Sequence, residues 1–187
     1  LKGRKTGEMG NWVAARYIAE QFRKFGVSSP MGLAREYMQE IPFVDVTPAT
    51  EATLEIGNHK IDLSEGLIVR MANSGTMEAE LMYLPHAVSD EITDAVRGKI
   101  VLTHFGSEDI VDPIAAMTLT AEKRKDLAAK GAMGLVEIYT GRHPWALMKR
   151  FLGGGGLTVS DEAGGAFPTL MIQKSLDKVI ENLKSGK

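Results

Sequence analysis

Two runs decide the fold: Arg97-Gly98-Lys99-Ile100-Val101-Leu102, and Lys125-Asp126-Leu127-Ala128-Ala129-Lys130-Gly131-Ala132-Met133-Gly134-Leu135-Val136-Glu137-Ile138-Tyr139. The first is a short apolar run introduced by glycine. The second reads as the end of a helix, a glycine and a strand. Short apolar runs bounded by Gly on either side of a helical segment are the pattern of a buried strand-helix-strand unit. Gly131 suits the position just past the helix end, where a positive φ is needed. Gly134 lets the next strand start close to that helix. The first turn of the unit lacks the glycines that would cradle a phosphate, which argues against half of a nucleotide-binding fold.

Working outward, residues 90–97 form a polar connection into the first strand. Residues 103–119 are irregular, with Pro113 inside, and Thr120 caps the helix that ends near Lys130. Upstream the apolar period is two. Thr53-Leu54-Glu55-Ile56, the Gly57-Asn58 turn and Lys60-Ile61-Asp62-Leu63 read as a hairpin. Residues 67–71 and 77–84 read as a second pair, joined through Asn73-Ser74-Gly75. Near the start, Asn11 caps a helix over 11–25 whose Ala14, Ile18, Phe22 and Phe25 share a face. Val13 and Tyr17 widen that face and Gly26 ends the helix. A short helical turn is expected over 31–38, and Pro42 and Pro48 impose extended chain.

Downstream, residues 140–167 show no clear period. They contain Pro144, Trp145, Gly153-Gly154-Gly155-Gly156 and Gly164-Gly165, and read as a long loop of a kind that often carries function. Pro168 precedes a strand over 169–172. Ser175 caps a last helix with Leu176, Val179, Ile180 and Leu183 on one face.

With 187 residues, the chain holds one domain, or one domain with an appendage. A net charge of -2 gives no reason to expect nucleic-acid binding. There is no run long and apolar enough to span a bilayer. No cysteine occurs, so disulfide and thiolate chemistry are excluded, and any zinc would need His and carboxylates. The chain opens on Leu1 with no signal segment, which is read as removal of upstream residues.

The four histidines are His59, His86, His104 and His143. None lies in His-Glu-x-x-His, and no Glu-Glu pair supplies a base beside a ligand. Asp90 and Glu91 adjoin in a polar loop and read as a solvated face. Ser74 and Ser107 lie outside Gly-x-Ser-x-Gly, so no nucleophile elbow is signalled. The glycine run at 153–156 lacks the Lys-Ser/Thr of a phosphate loop and reads as flexible. Trp145 either contacts a ligand or pins its loop to the core. Arg142 and His143 beside it are able to bind a carboxylate, against the plainer reading of a solvated loop. No catalytic residue and no metal ligand set emerges.

Two stretches resemble a known family. Gly3-Arg4-Lys5-Thr6-Gly7, Gly10, Ala14-Ala15, Tyr17-Ile18-Ala19, Phe22, Gly26 and Tyr37-Met38-Gln39 resemble the N-terminal segment of di-zinc aminopeptidases of the leucine aminopeptidase and glutamate carboxypeptidase type. Gly98-Lys99-Ile100-Val101-Leu102, Lys125, Ala128, Gly131-Ala132, Gly134-Leu135-Val136, Phe167-Pro168-Thr169 and Ile172 resemble the protease-associated domain inserted in those enzymes. The resemblance implies an α+β fold, a β-rich sandwich or open barrel with flanking helices. It implies a peptidase segment over 1–47 and the protease-associated domain with its C-terminal helix over 48–187. It also implies that the zinc ligands and catalytic glutamate lie downstream, in a catalytic domain that partners this one in cis.

Three functional expectations follow. The first is a non-catalytic domain of an exported (periplasmic or extracellular) zinc aminopeptidase that covers the active site or contacts peptide substrate, with Arg142, His143 and Trp145 as contact candidates. The second is a metal hydrolase using His104 with Asp109 or Asp112. The third is a stand-alone peptide-binding or oligomerisation module, forming a homodimer through the apolar face of the first helix.

Overall fold

The computed structural model describes residues 3–29, 37–110, 112–159, 167–173 and 176–184. Backbone contacts divide the chain into Leu1–Pro42 and Phe43–Lys187. This division falls just ahead of the 47/48 point read from the sequence, because residues 43–46 form a strand paired within the second unit. The expected Ser175 cap, most of the turn over 31–38, and Gly164-Gly165 lie outside the described residues.

The first unit is built on α1, Met9–Lys24. Its first turn begins earlier than Asn11 predicts. Glu8 is the cap residue, and its carbonyl accepts from the amides of Asn11 at 3.0 Å and Trp12 at 3.3 Å. Gly10 has the carbonyl of Gly3 packed where a Cβ would stand, so the preceding turn folds over the helix start. At the other end Gly26 takes φ +71°, and the amides of Gly26 and Val27 donate to Arg23 and Phe22 carbonyls. This paired closure satisfies carbonyls the helix would leave bare. The Tyr37 hydroxyl then donates to the Val27 carbonyl at 2.5 Å, and its ring lies 5.9 Å from Phe22. Only Ala19 of α1 is buried, whereas Trp12, Tyr17, Ile18, Phe22 and Phe25 are exposed.

The second unit is α+β, with helices on mixed sheets. Its main sheet has the order β4-β9-β7-β6-β5. The strands are β4 (Leu67–Met71), β5 (Leu81–Tyr83), β6 (Ile100–His104), β7 (Gly134–Ile138) and β9 (Thr169–Ile172). β5, β6, β7 and β9 are parallel, and β4 is an antiparallel edge. Two ribbons accompany the sheet: β1 (Phe43–Val46) with β8 (Gly156–Val159), and β2 (Thr53–Ile56) with β3 (His59–Asp62). The sheet stays open, and no closed barrel forms among the described residues.

The strand-helix-strand reading holds as β6, α2 (Pro113–Ala129) and β7. Gly131 has φ +79°, and its carbonyl accepts from Gly98 at 2.8 Å. The close approach at Gly134 is made to Pro168 and Met77, and not to the helix: a Cβ there would stand 3.3 Å from the Pro168 oxygen and 3.2 Å from the Met77 methyl. α2 begins well before Thr120. Asp112 caps it by accepting from Ile114 at 3.1 Å and Ala115 at 3.0 Å, and Pro113 fills the first turn, where its missing N–H costs nothing. Thr120 sits mid-helix.

The second expected hairpin does not form. β4 pairs with β9 and β5 with β6, far along the chain. Alternation marks a strand but not its partner, and pairing with β9 buries both Leu67 and Ile68. The long loop is also corrected, since it contains α3 (Trp145–Leu152) and β8. The glycine run between them is close-packed: a Cβ at Gly155 would collide with the Val46 carbonyl and stand 2.6 Å from Pro48 Cδ.

Apolar residues fill both faces of the sheet. Leu102, Val136, Ile138 and Ile172 pack with Ile56 and Ile61 of the hairpin and with Leu176 and Ile180 around α4 (Asp177–Lys184). Val101 and Leu135 pack with Leu127 of α2. Ile68 and Met171 pack with Met148 and Leu152 of α3.

Gly155→Ala forces β8 away from the backbone of β1. Two-stranded ribbons are marginal alone, so faster amide exchange over 43–46 and 156–159 is expected, with a loss of roughly 1–3 kcal/mol in urea unfolding. Unaltered protection of that ladder would contradict this packing role.

Candidate functional site

Glu137 stands in the middle of β7, fully buried. A carboxylate placed there must be met by donors, since its bare burial would cost several kcal/mol or more. The Thr120 hydroxyl supplies one, at 2.9 and 3.1 Å from the two oxygens. Arg70 Nη1 donates from β4 at 3.3 Å, and Lys123 Nζ lies 3.7 Å away. Lys123 is itself buried and donates to the carbonyls of His104 at 2.8 Å and Gly106 at 2.9 Å. Burial pushes the Glu137 carboxyl pKa up against the pull of Arg70 and Lys123. Burial lowers Lys123, opposed by Glu137. Arg70 lies between Val69, opposite Leu170, and Met71, opposite Thr169, so the β4 register shifts at this residue. Such bulges re-aim a side chain.

His104 ends β6 at the edge where the parallel strands finish. Its ring lies 6.1 Å from Tyr83, edge to face, and 6.4 Å from His86. Burial, then His86, Lys123 and Lys184, hold its pKa below the usual 6.5, with Asp177 pulling the other way. The His86 amide donates to Glu91 at 3.1 Å, and its Nε2 lies 3.9 Å from Glu108. Asp112, one of the expected partners of His104, spends its carboxylate on the α2 cap. No three His, Asp or Glu side chains form a metal-ligating group among the described residues, so His104 is not assembled with Asp109 or Asp112 in that way.

Arg142 and His143 sit in the short connection from β7 to α3, both exposed. Neither side chain has a partner among the described residues. Trp145 opens α3 and is half-buried. Its ring lies 5.9 Å from Tyr139, which in turn lies 5.8 Å from Phe105. Trp145 therefore pins its segment to the core. Sequence reading missed Tyr139, although Gly141, two residues on, is the mark of it: a Cβ at 141 would stand 2.6 Å from the tyrosine ring. A separate groove of about 680 Å³ is lined by Pro48, Ala52, Leu54, Val69, Val136 and Leu170 among others, within the size range of ligand clefts.

No protein-family model matches the chain, and no curated protein matches it. Two solved structures are similar, both of BSAP, a zinc aminopeptidase from Bacillus subtilis. One shares 18% identity with a TM-score of 0.44, over 95% of this chain and 36% of that one. The other shares 17% identity with a TM-score of 0.41, over 96% of this chain and 36% of that one. The chain thus spans little more than a third of the length of these neighbours.

Lys123→Met leaves Glu137 short of a cation and two carbonyls without their donor. A loss of about 3–5 kcal/mol in denaturant unfolding is expected. The pair Lys123→Met with Glu137→Gln should cost less than the two single losses added.

His104 carries a pH signature. A base whose pKa falls on folding leaves stability intact above its unfolded value. As pH drops through 6.5, the unfolded chain takes up a proton that the folded chain resists, so stability declines. Thermal unfolding of His104→Gln should show a shallower decline over that window than the unaltered protein, and equal slopes would exclude the effect.

Proposed function

We propose that this chain is the protease-associated portion of a zinc exopeptidase, with the leading helical segment of the peptidase attached. In this reading it holds no catalytic residue. The zinc and the catalytic glutamate belong to a peptidase domain in cis, and the parent protein is exported. The exposed apolar side chains of α1 are the surface that such a domain would cover. The chain meets peptide substrate through the connection at 140–144, with Arg142 and His143 as contacts and Trp145 as its anchor.

The observation that carries the reading is the convergence of the resembling residues on one packing unit. Gly98 and Pro168 are each far in sequence from the Gly131–Gly134 segment. In the fold Gly98 donates to Gly131, Met133 donates to Lys99, and Leu135 donates to Pro168, each at 2.8 Å. Gly134 admits Pro168 at close contact. These residues of the second resembling stretch pack together, and that packing supports the reading. The buried ionisable groups also fit a supporting role, since Glu137, Lys123 and Arg70 answer one another inside the fold.

Incubated with zinc and a chromogenic amino-acid anilide, the purified chain is expected to release no more chromophore than buffer does. Zinc-dependent release that saturates with substrate would sink the non-catalytic reading.

A further inference from the structure

Tyr139 is buried at the end of β7, yet its hydroxyl does not stay in the core. It accepts from the amide of His143 at 3.1 Å and donates to the carbonyl of the same residue at 3.1 Å. One side chain thus holds both polar groups of a single peptide residue four positions on. The ring is fixed in turn by Phe105 and Trp145, within the cluster of Ile68, Met148 and Met171. Gly141 lies against that ring, where any side chain would collide. The far end of the connection is held as well, because the Pro144 carbonyl accepts from Leu147 at 2.9 Å and Met148 at 3.2 Å. Connections of this length usually move more than the elements they join. Here both ends and the middle are tied, and Arg142 and His143 are exposed on it, as are Thr140 and Pro144.

We infer that Tyr139 is the positioning residue of this tip, holding the backbone from which Arg142 and His143 meet a carboxylate of a peptide ligand. The inference rests on the proposed substrate-contact reading and adds to it a ligand group and a device. Arginine offers a planar fork of donors that matches a carboxylate. Histidine beside it adds a donor, and a positive charge when protonated. Fixing their backbone in advance removes part of the ordering cost that a free loop would meet on binding.

Two measurements on the whole chain separate the device from the ligand. Tyr139→Phe keeps the ring between Phe105 and Trp145 and removes only the hydroxyl. The His143 amide should then exchange roughly five- to tenfold faster, the change expected for one lost hydrogen bond. Gly141→Ala, whose Cβ would stand 2.6 Å from the ring and 2.7 Å from the hydroxyl, should do the same by pushing the connection off Tyr139 while the hydroxyl stays on its side chain. Unchanged exchange of His143 in both variants overturns the positioning role.

For the ligand, N-acetyl-tetraalanine with a free carboxylate is titrated against the chain by NMR, beside the same peptide amidated at its C-terminus. The free acid should shift the Arg142 and His143 amides and the amidated peptide should not. The effect should disappear in Arg142→Gln and weaken at least about threefold in Tyr139→Phe. Equal shifts from both peptides, or none from either, overturn the carboxylate assignment. That result leaves the anilide test of the non-catalytic reading standing on its own.

Discussion

The carboxylate of Glu137 is the constraint to which the second unit answers. It lies in a parallel strand with neighbours on both sides, out of reach of water. Its partners come from two other elements: Thr120 and Lys123 from α2, Arg70 from β4. Lys123 extends the connection to the end of β6 by donating to His104 and Gly106 carbonyls. Apolar contacts alone would tolerate sliding of α2 along the sheet. A helix that must deliver a hydroxyl and an ammonium to fixed acceptors has one position. The ionic cluster adds little stability over a well-packed apolar one, because desolvation offsets most of the attraction. Its contribution here is register.

This polar seam divides the helix-bearing face of the sheet. Val101 and Leu135 pack under α2 on one side, and Ile68 and Met171 pack under α3 on the other. Buried Thr103 and Thr169 continue the seam across neighbouring strands. The Thr103 hydroxyl donates to Pro85 at 3.2 Å and the Thr169 hydroxyl to Phe167 at 3.0 Å. Each tie fastens a strand to the chain outside it, so the polar groups inside the fold are answered by backbone as well as by charge.

How much of this was legible follows from what each residue type reports. Glycine-bounded apolar runs revealed β6 and β7, and a Gly-Asn turn between alternating runs revealed the β2–β3 hairpin. These signals are local, and the elements are local. The partners of β4 and β5 were hidden because their pairing spans long loops, and period two is silent about partners. The Asp112-Pro113 pair carries the start of α2 in plain form, a capping carboxylate followed by a proline at the first turn, ahead of the Thr120 that also suits a cap. The run at 153–156 reads as flexible because glycine permits motion. Glycine equally permits contact, and Val46 and Pro48 occupy the space a Cβ would need at Gly155. Glu137 stood out as a lone charge in Gly134-Leu135-Val136-Glu137-Ile138-Tyr139. Its partners come from α2 and β4, two elements that no sequence spacing connects to it.

The same contrast applies to the candidate site. Arg142, His143 and Trp145 were visible as residue types, but whether they act together depends on Tyr139, which reads as one more apolar residue at a strand end. Lys123 and Glu137 are matched to each other, Lys123 also to backbone carbonyls, and His104 is held below its usual pKa first by burial and then by the charges around it. A group committed in this way can change its partner only by disturbing the sheet. In the proposed reading, recognition is left to side chains that the fold positions but does not consume. Arg142 and His143 meet that description, on a connection whose ends belong to β7 and α3 and whose middle hangs on one hydroxyl. The buried charges fix where β7 ends, the end of β7 fixes Tyr139, and Tyr139 fixes the tip.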